Sequence, residues 1–355
     1  MPPSSIQNDP IRVTQANDPP DLFQSWGGGV LANQAEAGLV KDLTGDVQSW
    51  VGELIPVAMQ PYTIDGKVYG IPWDLGMVGI WYNKDLFAKA GITTLPTTWT
   101  ELLAAVDKLK TAKVTPIALA GSEKWPGHFW WSYLAIRIAG VDALKQAMDS
   151  KNFENPDFVA AGQRLKELVD MAPFQKGFLS APYGSPDGQA AIVGNGRAAM
   201  ELMGQWAPAV QKDNSKGKKG LGDKLGFFTF PTVDGGKGKP TDVFGGGNGF
   251  AIGRNAPPAT VDFLKFFLSA ANQRRAAGTG ALLPTNKAAQ DGVKDPNAMA
   301  VAQALSAATG FQLYLDQAFP PAVGGQVNDS VAGLIAGSKT PDQVTKDITA
   351  VAKDQ

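Results

Sequence analysis

The chain is 355 residues long, 18% charged and close to neutral, with a formal net charge of −1. That length exceeds one ordinary hydrophobic core and suggests two domains, or two lobes sharing crossovers, while the balanced charge offers no clustered cations for nucleic acid or an anionic membrane. Without cysteine the chain has no disulfide, thiolate metal site, cysteine nucleophile or lipid-accepting thiol, and its single histidine, His128, excludes metal sites that need two imidazoles.

The first twenty residues lack the basic start and apolar core of a signal peptide, and no run approaches membrane-spanning length. DLFQSW, residues 21–26, then reads as a short strand, and GGGVLANQAEAG as a glycine turn opening a helix that Gly38 stops. Gly27, Gly29 and Ala32 formally satisfy a GxGxxG/A fingerprint, but bulky Trp26 abuts the turn and no βαβ unit with an acidic ribose ligand follows. Glycines that permit a tight turn account for the run first, a sugar-facing turn second and a nucleotide site third.

The stretch from Ile64 to Gly91 is the most informative. Asp65-Gly66 is a turn signal between apolar runs, and Pro72 bars a mid-helix role, so a hairpin feeds an extended segment. A strand over Gly76–Tyr82 follows, then a short helix, DLFAKA, closed by Gly91. Trp73 and Asp74 thus sit on a constrained segment, an aromatic face beside a carboxylate, as a pyranose ring requires. Thr98 and Glu101 form a capping box for a helix over Thr98–Lys110, with Trp99, Leu102, Leu103, Val106 and Leu109 on one face.

YGIPWDLGMVGIWYNKDLFAKAGI, residues 69–92, followed by LPTTWTELLAAVDKLK, residues 95–110, resembles the sugar-binding, family 1 extracellular solute-binding proteins that serve ABC importers. The resemblance runs from about Asn17 to the C-terminus. It implies an α/β, periplasmic-binding-protein type II fold, two α/β lobes joined by hinge crossings with the ligand cleft between them. On that pattern residues 1–75 and 250–300 form the N-terminal lobe and residues 76–249 and 301–355 the C-terminal lobe. Relatives place a strand and a helix before the segment matching PPDLFQSWGGG, where this chain has MPPSSIQNDPIRVTQAND, so the N-terminal lobe is expected to lack its usual first strand-helix unit. The resemblance also implies an extracellular or periplasmic location, with a membrane tether in a lipoprotein precursor whose leader was removed or never included.

Further along, VTPIALA reads as a buried strand. Trp125, His128, Phe129, Trp130, Trp131 and Tyr133 then crowd into nine positions, and a helix from about His128 would bury some of them. So many large rings are not expected to point inward together; two or three should be core, and at least one of Trp125, His128 and Trp130 should line a ligand surface. Asn155-Pro156 starts another helix. DGQAAIVGNGRAAMELMGQWAPAV reads as helix, turn, strand over Ala198–Met203, glycine turn and a helix containing Trp206. The resemblance includes a similar MxxxGxW arrangement, which implies that Gly204 brings backbone amides to the ligand and Trp206 a stacking face. KLGFFTFPTV reads as a strand ended by Pro231, and VFGGGNGFAIG joins a glycine run to a strand ahead of a helix built on Phe263, Leu264, Phe267 and Leu268. No GxxxxGK[ST] is present, which excludes a phosphate loop. By resemblance this run is a return crossing with Asn248 in reach of the cleft, and Tyr314, Asp316 and Gln317 lie near a third. Thr340 caps the last helix, with Pro341 at its first position.

A glycosidase needs two carboxylates flanking the scissile bond, and Asp74, Glu123, Asp187, Asp242 and Asp316 stand in unrelated contexts. A hydrolase triad would have to use His128, and no GxSxG elbow accompanies it. Scattered aromatics beside glycine turns and carboxylates fit one binding cleft better. The expected ligand-binding set is Trp26, Trp73, Asp74, Trp125, His128, Trp130, Gly204, Trp206, Asn248, Tyr314, Asp316 and Gln317. The expected function is capture of a neutral di- or short oligosaccharide by a monomer and delivery to an ABC transporter permease by hinge closure. No catalysis, cofactor, metal, nucleic acid or membrane insertion is expected. A carbohydrate-active enzyme such as a glycosidase, or a binder of a non-sugar small solute, remains the alternative; the latter would need an ionic clamp, and no Arg-Asp pairing stands near the aromatic positions.

Overall fold

The computed structural model describes residues 19–280 and 282–355. Two compact units make up the chain: one takes the sequence up to Leu75 with Gly246–Asp295 and Gln317–Pro321, the other Gly76–Gly245, Pro296–Asp316 and Ala322–Gln355. The expected loss of a first strand-helix unit concerns residues 1–18, which lie outside the described residues.

In the first unit, strand Gly249–Ile252 lies between Leu22–Ser25 and Gly70–Pro72, antiparallel to both, with Leu22 opposite Ile252 and Gly249 opposite Pro72. Pro72, which has no N–H for a ladder, ends an edge strand, where proline is tolerated. Asp65 and Gly66 take positive φ, 49° and 78°, between Thr63–Ile64 and Lys67–Val68, which is the backbone a two-residue I′ hairpin requires. Gly27 also has a positive φ, 74°, and a Cβ there would meet the Pro61 carbonyl oxygen at 2.4 Å. One on Gly29 would meet the Phe319 carbonyl carbon at 2.5 Å, so this glycine run serves a tight turn and close packing ahead of helix Gly28–Glu36. Leu43, Val47, Trp50, Leu54, Ile71, Ile252, Leu264 and Leu268 form a core, with Trp73, Phe250 and Phe267 packed against it.

The second unit holds a four-stranded sheet in the order Thr115–Ile117, Ala198–Met203, Gly79–Asn83, Leu225–Phe228, the first pair parallel and the others antiparallel. The expected continuous strand over Gly76–Tyr82 is instead two strands. Gly76–Met77 joins the sheet of Asp242–Gly246 and Gly310–Leu313, and the chain changes partners at Val78, whose N–H donates to Phe244 O at 2.8 Å. The first two glycines of VFGGGNGFAIG are part of strand Asp242–Gly246: a Cβ on Gly245 would meet Gly76 O at 2.3 Å, and the bare backbone lets the two strands approach.

Helix Trp99–Thr111 carries both halves of the Thr98/Glu101 capping box, and Asn155 caps Pro156–Asp170 through the Asp157 N–H. The helix expected from about His128 starts at Trp125 and runs to Ala139, and the expectation that only two or three of its six rings would be core is corrected: every residue from Pro126 to Arg137 is buried, and Trp125 alone of the six is half-buried. Its sides are covered separately. Trp131 meets Phe158 at 5.8 Å, Trp130 and Tyr133 meet Phe230 at 6.0 and 4.6 Å, and Phe129 meets Phe244 at 5.3 Å. A helix apolar all round is one packed on all sides, and no stripe could reveal that.

Arg137, also buried, donates to the backbone carbonyls of Phe230, Pro231, Lys239 and Asp242 at 3.0, 3.1, 2.9 and 2.7 Å, with no carboxylate hydrogen-bonded to it among the described residues. This explains why strand Leu225–Phe228 stops before Pro231: the next carbonyls turn to the guanidinium and leave the ladder.

Candidate functional site

In the first unit, the turn after Leu22–Ser25, the segment after Pro72 and the loop before Gly249–Ile252 meet. Asn248 is the hub. Its Oδ1 accepts from Gln24 Nε2 at 2.8 Å and Trp26 Nε1 at 3.1 Å, and its Nδ2 donates to Asp74 Oδ2 at 2.9 Å. The Asn248 backbone N–H also donates to Asp74 Oδ1, and the Asn248 carbonyl accepts from the N–H groups of Trp73 and Asp74 at 2.8 and 3.2 Å. Asp74 is buried, Trp26 and Asn248 are half-buried, and the carboxylate raises the pKa of buried Tyr62, second to the effect of burial itself. With its N–H committed, Trp26 presents ring surface. Trp73 turns its ring into the unit, against Phe250 at 6.3 Å and Phe267 at 6.5 Å. Gln317 belongs to this unit and is half-buried.

In the second unit, rings from four separate segments gather. Trp125 lies 5.3 Å from Tyr183 and 6.4 Å from Trp206, and Tyr314 lies 6.0 Å from Trp206 and 5.5 Å, nearly parallel, from Phe129. Phe129, Tyr183 and Tyr314 are buried, so the half-buried Trp125 and Trp206 form the accessible margin of this cluster. Trp206 folds back over Gly204, where a Cβ would meet the indole at 2.1 Å, so Gly204 supports the ring instead of facing outward. From below, Trp81 Nε1 donates to the carbonyls of Met203 and Gly204 at 3.0 and 3.1 Å.

His128 is fully buried, edge-on to Phe129 and Phe244 at 4.9 and 5.9 Å. Burial lowers its pKa, opposed by the Asp316 carboxylate and by Asn328. Asn328 Nδ2 donates to Asp316 Oδ2 at 3.2 Å. Trp130 is 1% exposed and packs within the unit, out of the Trp125–Trp206 cluster. Among the described residues no cluster of three or more His, Cys, Asp or Glu could hold a metal ion.

Ring faces edged by carboxylates and amides suit a polyhydroxylated ligand. The family model of the bacterial extracellular solute-binding proteins matches residues 3–274. The chain belongs to that family. It is 28% identical over 331 residues to the diacetylchitobiose binding protein DasA of Streptomyces coelicolor, covering 86% of this chain and 70% of that one. Over 240 residues it is 29% identical to the multiple sugar-binding protein of Streptococcus mutans, covering 65% of this chain but only about half, 49%, of the relative's length.

A structure from work on xylan utilization by the thermophilic bacterium Caldanaerobius polysaccharolyticus matches 96% of this chain and 88% of that one with a TM-score of 0.86 and 29% identity. A chitin oligosaccharide binding protein matches 98% of this chain and 87% of that one, with a TM-score of 0.85 and 27% identity. The fold of this solute-binding protein is the periplasmic-binding-protein type II fold. Its family is extracellular, and no helix of the described residues is long and apolar enough to cross a membrane.

Sequence reading missed the second layer of this solute-binding protein's ring cluster. Tyr183 carried no motif. Glu201, buried in the middle of strand Ala198–Met203, accepts from Gln189 Nε2 at 2.7 Å and Gln211 Nε2 at 2.6 Å. Burial raises its pKa from 4.5 to about 7, against those two hydrogen bonds. A lone carboxylate inside AAMELM was the available signal.

Proposed function

We propose that this chain captures a neutral di- or short oligosaccharide outside the cytoplasm and hands it to an ABC transporter permease by hinge closure, as a monomer and without cleaving it. The gathering of Trp125, Trp206, Tyr183 and Tyr314 within 5.3 to 6.4 Å of their neighbours carries the reading, because pyranose CH faces pack on such rings. Within the first unit, the Trp26 ring and the polar atoms of Asp74 and Asn248 are the candidate contacts for a sugar. Asp316 plays the same part in the second, with His128 and Gly204 behind the rings and Gln317 at the first unit's margin. Trp73 and Trp130 act through packing. The names of the relatives, diacetylchitobiose, chitin oligosaccharide and multiple sugar binders, support a saccharide ligand. A membrane tether on the native precursor goes with this role.

Calorimetric titration with short β- and α-linked oligosaccharides tests the proposal. Saturable binding of at least one neutral sugar, recovered intact, is expected. Binding of amino acids, peptides or polyamines with silence across the sugars would overturn it, and appearance of cleavage products would favour a carbohydrate-active enzyme.

A further inference from the structure

We infer that Glu201 is a proton-sensitive positioning residue: ionised, it holds Trp206 and the helix behind it in the place from which the ring can stack on a sugar; protonated, it loosens that hold. Its effect on affinity rests on the carbohydrate reading above, whereas its effect on the rings does not.

The lever is short. Trp206 stands at the N-terminus of helix Ala207–Asn214, and Gln211 lies one turn further along the same helix. The neighbouring helix Gln189–Gly194 is pressed against it, since a Cβ on Gly194 would meet Gln211 O at 2.5 Å. Glu201 grips both helices at once, one oxygen to each glutamine, and Gln189 Oε1 in turn accepts the Ala120 N–H at 2.6 Å. Both hydrogen-bond partners are neutral amides, so the negative charge of the carboxylate is held without a paired cation.

A protonated carboxyl carries an O–H that needs an acceptor, and one glutamine N–H must then lose its place. Gln211 is the one that can yield, because its Oε1 is buried without a hydrogen-bond partner. A half-turn of its amide brings that oxygen to the Glu201 proton, so the charge-assisted bond that anchors the helix carrying Trp206 gives way to a weaker neutral one. Burial of the carboxyl puts this exchange in the neutral range, with a pKa of about 7.

The surrounding charges are few. Tyr183, from the segment before Gln189–Gly194, is buried and its phenol is pushed well above its usual range by burial, by Glu201 and by Glu123. Glu123, exposed on the loop before Trp125, accepts from the Tyr183 N–H at 3.3 Å. Lys212 and Asp213 on helix Ala207–Asn214 are exposed. Helix Gln189–Gly194 and strands Thr115–Ile117, Gly79–Asn83 and Leu225–Phe228 carry no Asp, Glu, Lys, Arg or His, and Tyr82 is their one titratable residue.

The test is tryptophan fluorescence of the sugar-free full chain, followed from about pH 5 to 9, for the wild type, E201Q and Gln211→Leu. A reversible step near pH 7 in the wild type, absent from E201Q, is expected. Gln211→Leu removes a donor that favours the charged form, so its midpoint should move up. A flat wild-type profile, the same step in E201Q, or an unmoved midpoint in Gln211→Leu overturns the inference. Affinity for the sugar should be at least about threefold higher at pH 8 than at pH 6, and independent of pH in E201Q. A fluorescence step with no sugar bound at either pH supports the switch and overturns the carbohydrate reading. Sugar binding of equal strength at both pH values with flat fluorescence overturns the switch and leaves that reading standing.

Discussion

Asn248 and Asp74 hold each other at three points: the amide Nδ2 donates to one carboxylate oxygen at 2.9 Å, the backbone N–H to the other, and the Asp74 N–H to the Asn248 carbonyl at 3.2 Å. Through the same side chain the pair also fixes Trp26 and Gln24, more than two hundred residues away in sequence. Asn248→Ala takes one hydrogen bond from the buried Asp74 carboxylate and the acceptor from half-buried Trp26, while exposed Gln24 turns to water, and this costs about 1–3 kcal/mol of stability. With Trp26 no longer held, sugar affinity should drop as well. Calorimetry and thermal melts of the variant check both; an unchanged affinity would remove this hub from the binding surface.

Trp206 and Trp130 should respond in opposite ways. Trp206→Ala takes away a half-buried ring at the margin of its cluster, so affinity should fall about tenfold or more while the melting temperature moves little. Trp130→Ala empties a packed interior position and should cost about 3–5 kcal/mol of stability. Parallel titrations and denaturant melts of the two variants separate the roles.

Removing the guanidinium that gathers the carbonyls of Phe230, Pro231, Lys239 and Asp242 should be as damaging as a core deletion. Arg137→Met keeps much of the volume but strands these acceptors, at a cost of about 3 kcal/mol or more. Urea unfolding measures it, and a loss below about 1 kcal/mol would mean that water or a local shift re-satisfies the carbonyls.

The pH dependence of stability follows from Glu201. Its folded-state pKa, about 7, lies above the ordinary 4.5, so between these values the native chain holds a proton that the unfolded chain has lost. This contribution is therefore favourable at low pH, declines as pH rises through that window, and reaches its full penalty above pH 7, about 3 kcal/mol at most. E201Q should melt higher than the wild type at pH 8 and show no gain at pH 5. A gain of equal size at both would place the effect in packing.

Local signals in the sequence carried the elements they specify: Asp65-Gly66 for its hairpin, Thr98 and Glu101 for their capping box, Asn155 for its helix start. Each acts within about four residues. What escaped sequence reading depends on partners far away. The all-round burial of Trp125–Ala139 comes from Phe158, Phe230 and Phe244, which periodicity within the helix cannot register. The Gly245 approach to Gly76 and the Asn248 hub join segments some 170 residues or more apart. Among the candidate rings, Trp125, Trp206 and Tyr314 were legible by type and do gather in one cluster, whereas nothing in the sequence distinguished them from Trp130, which packs inside.

Saturation-transfer NMR on the wild type and W206A, with irradiation at aromatic frequencies and the tightest-binding neutral oligosaccharide present, tests the role of the rings most directly. The sugar CH protons should receive saturation from the protein's rings, and much of that transfer should vanish in W206A. A bound sugar that draws no aromatic saturation, or draws as much from W206A as from the wild type, would contradict stacking on Trp206.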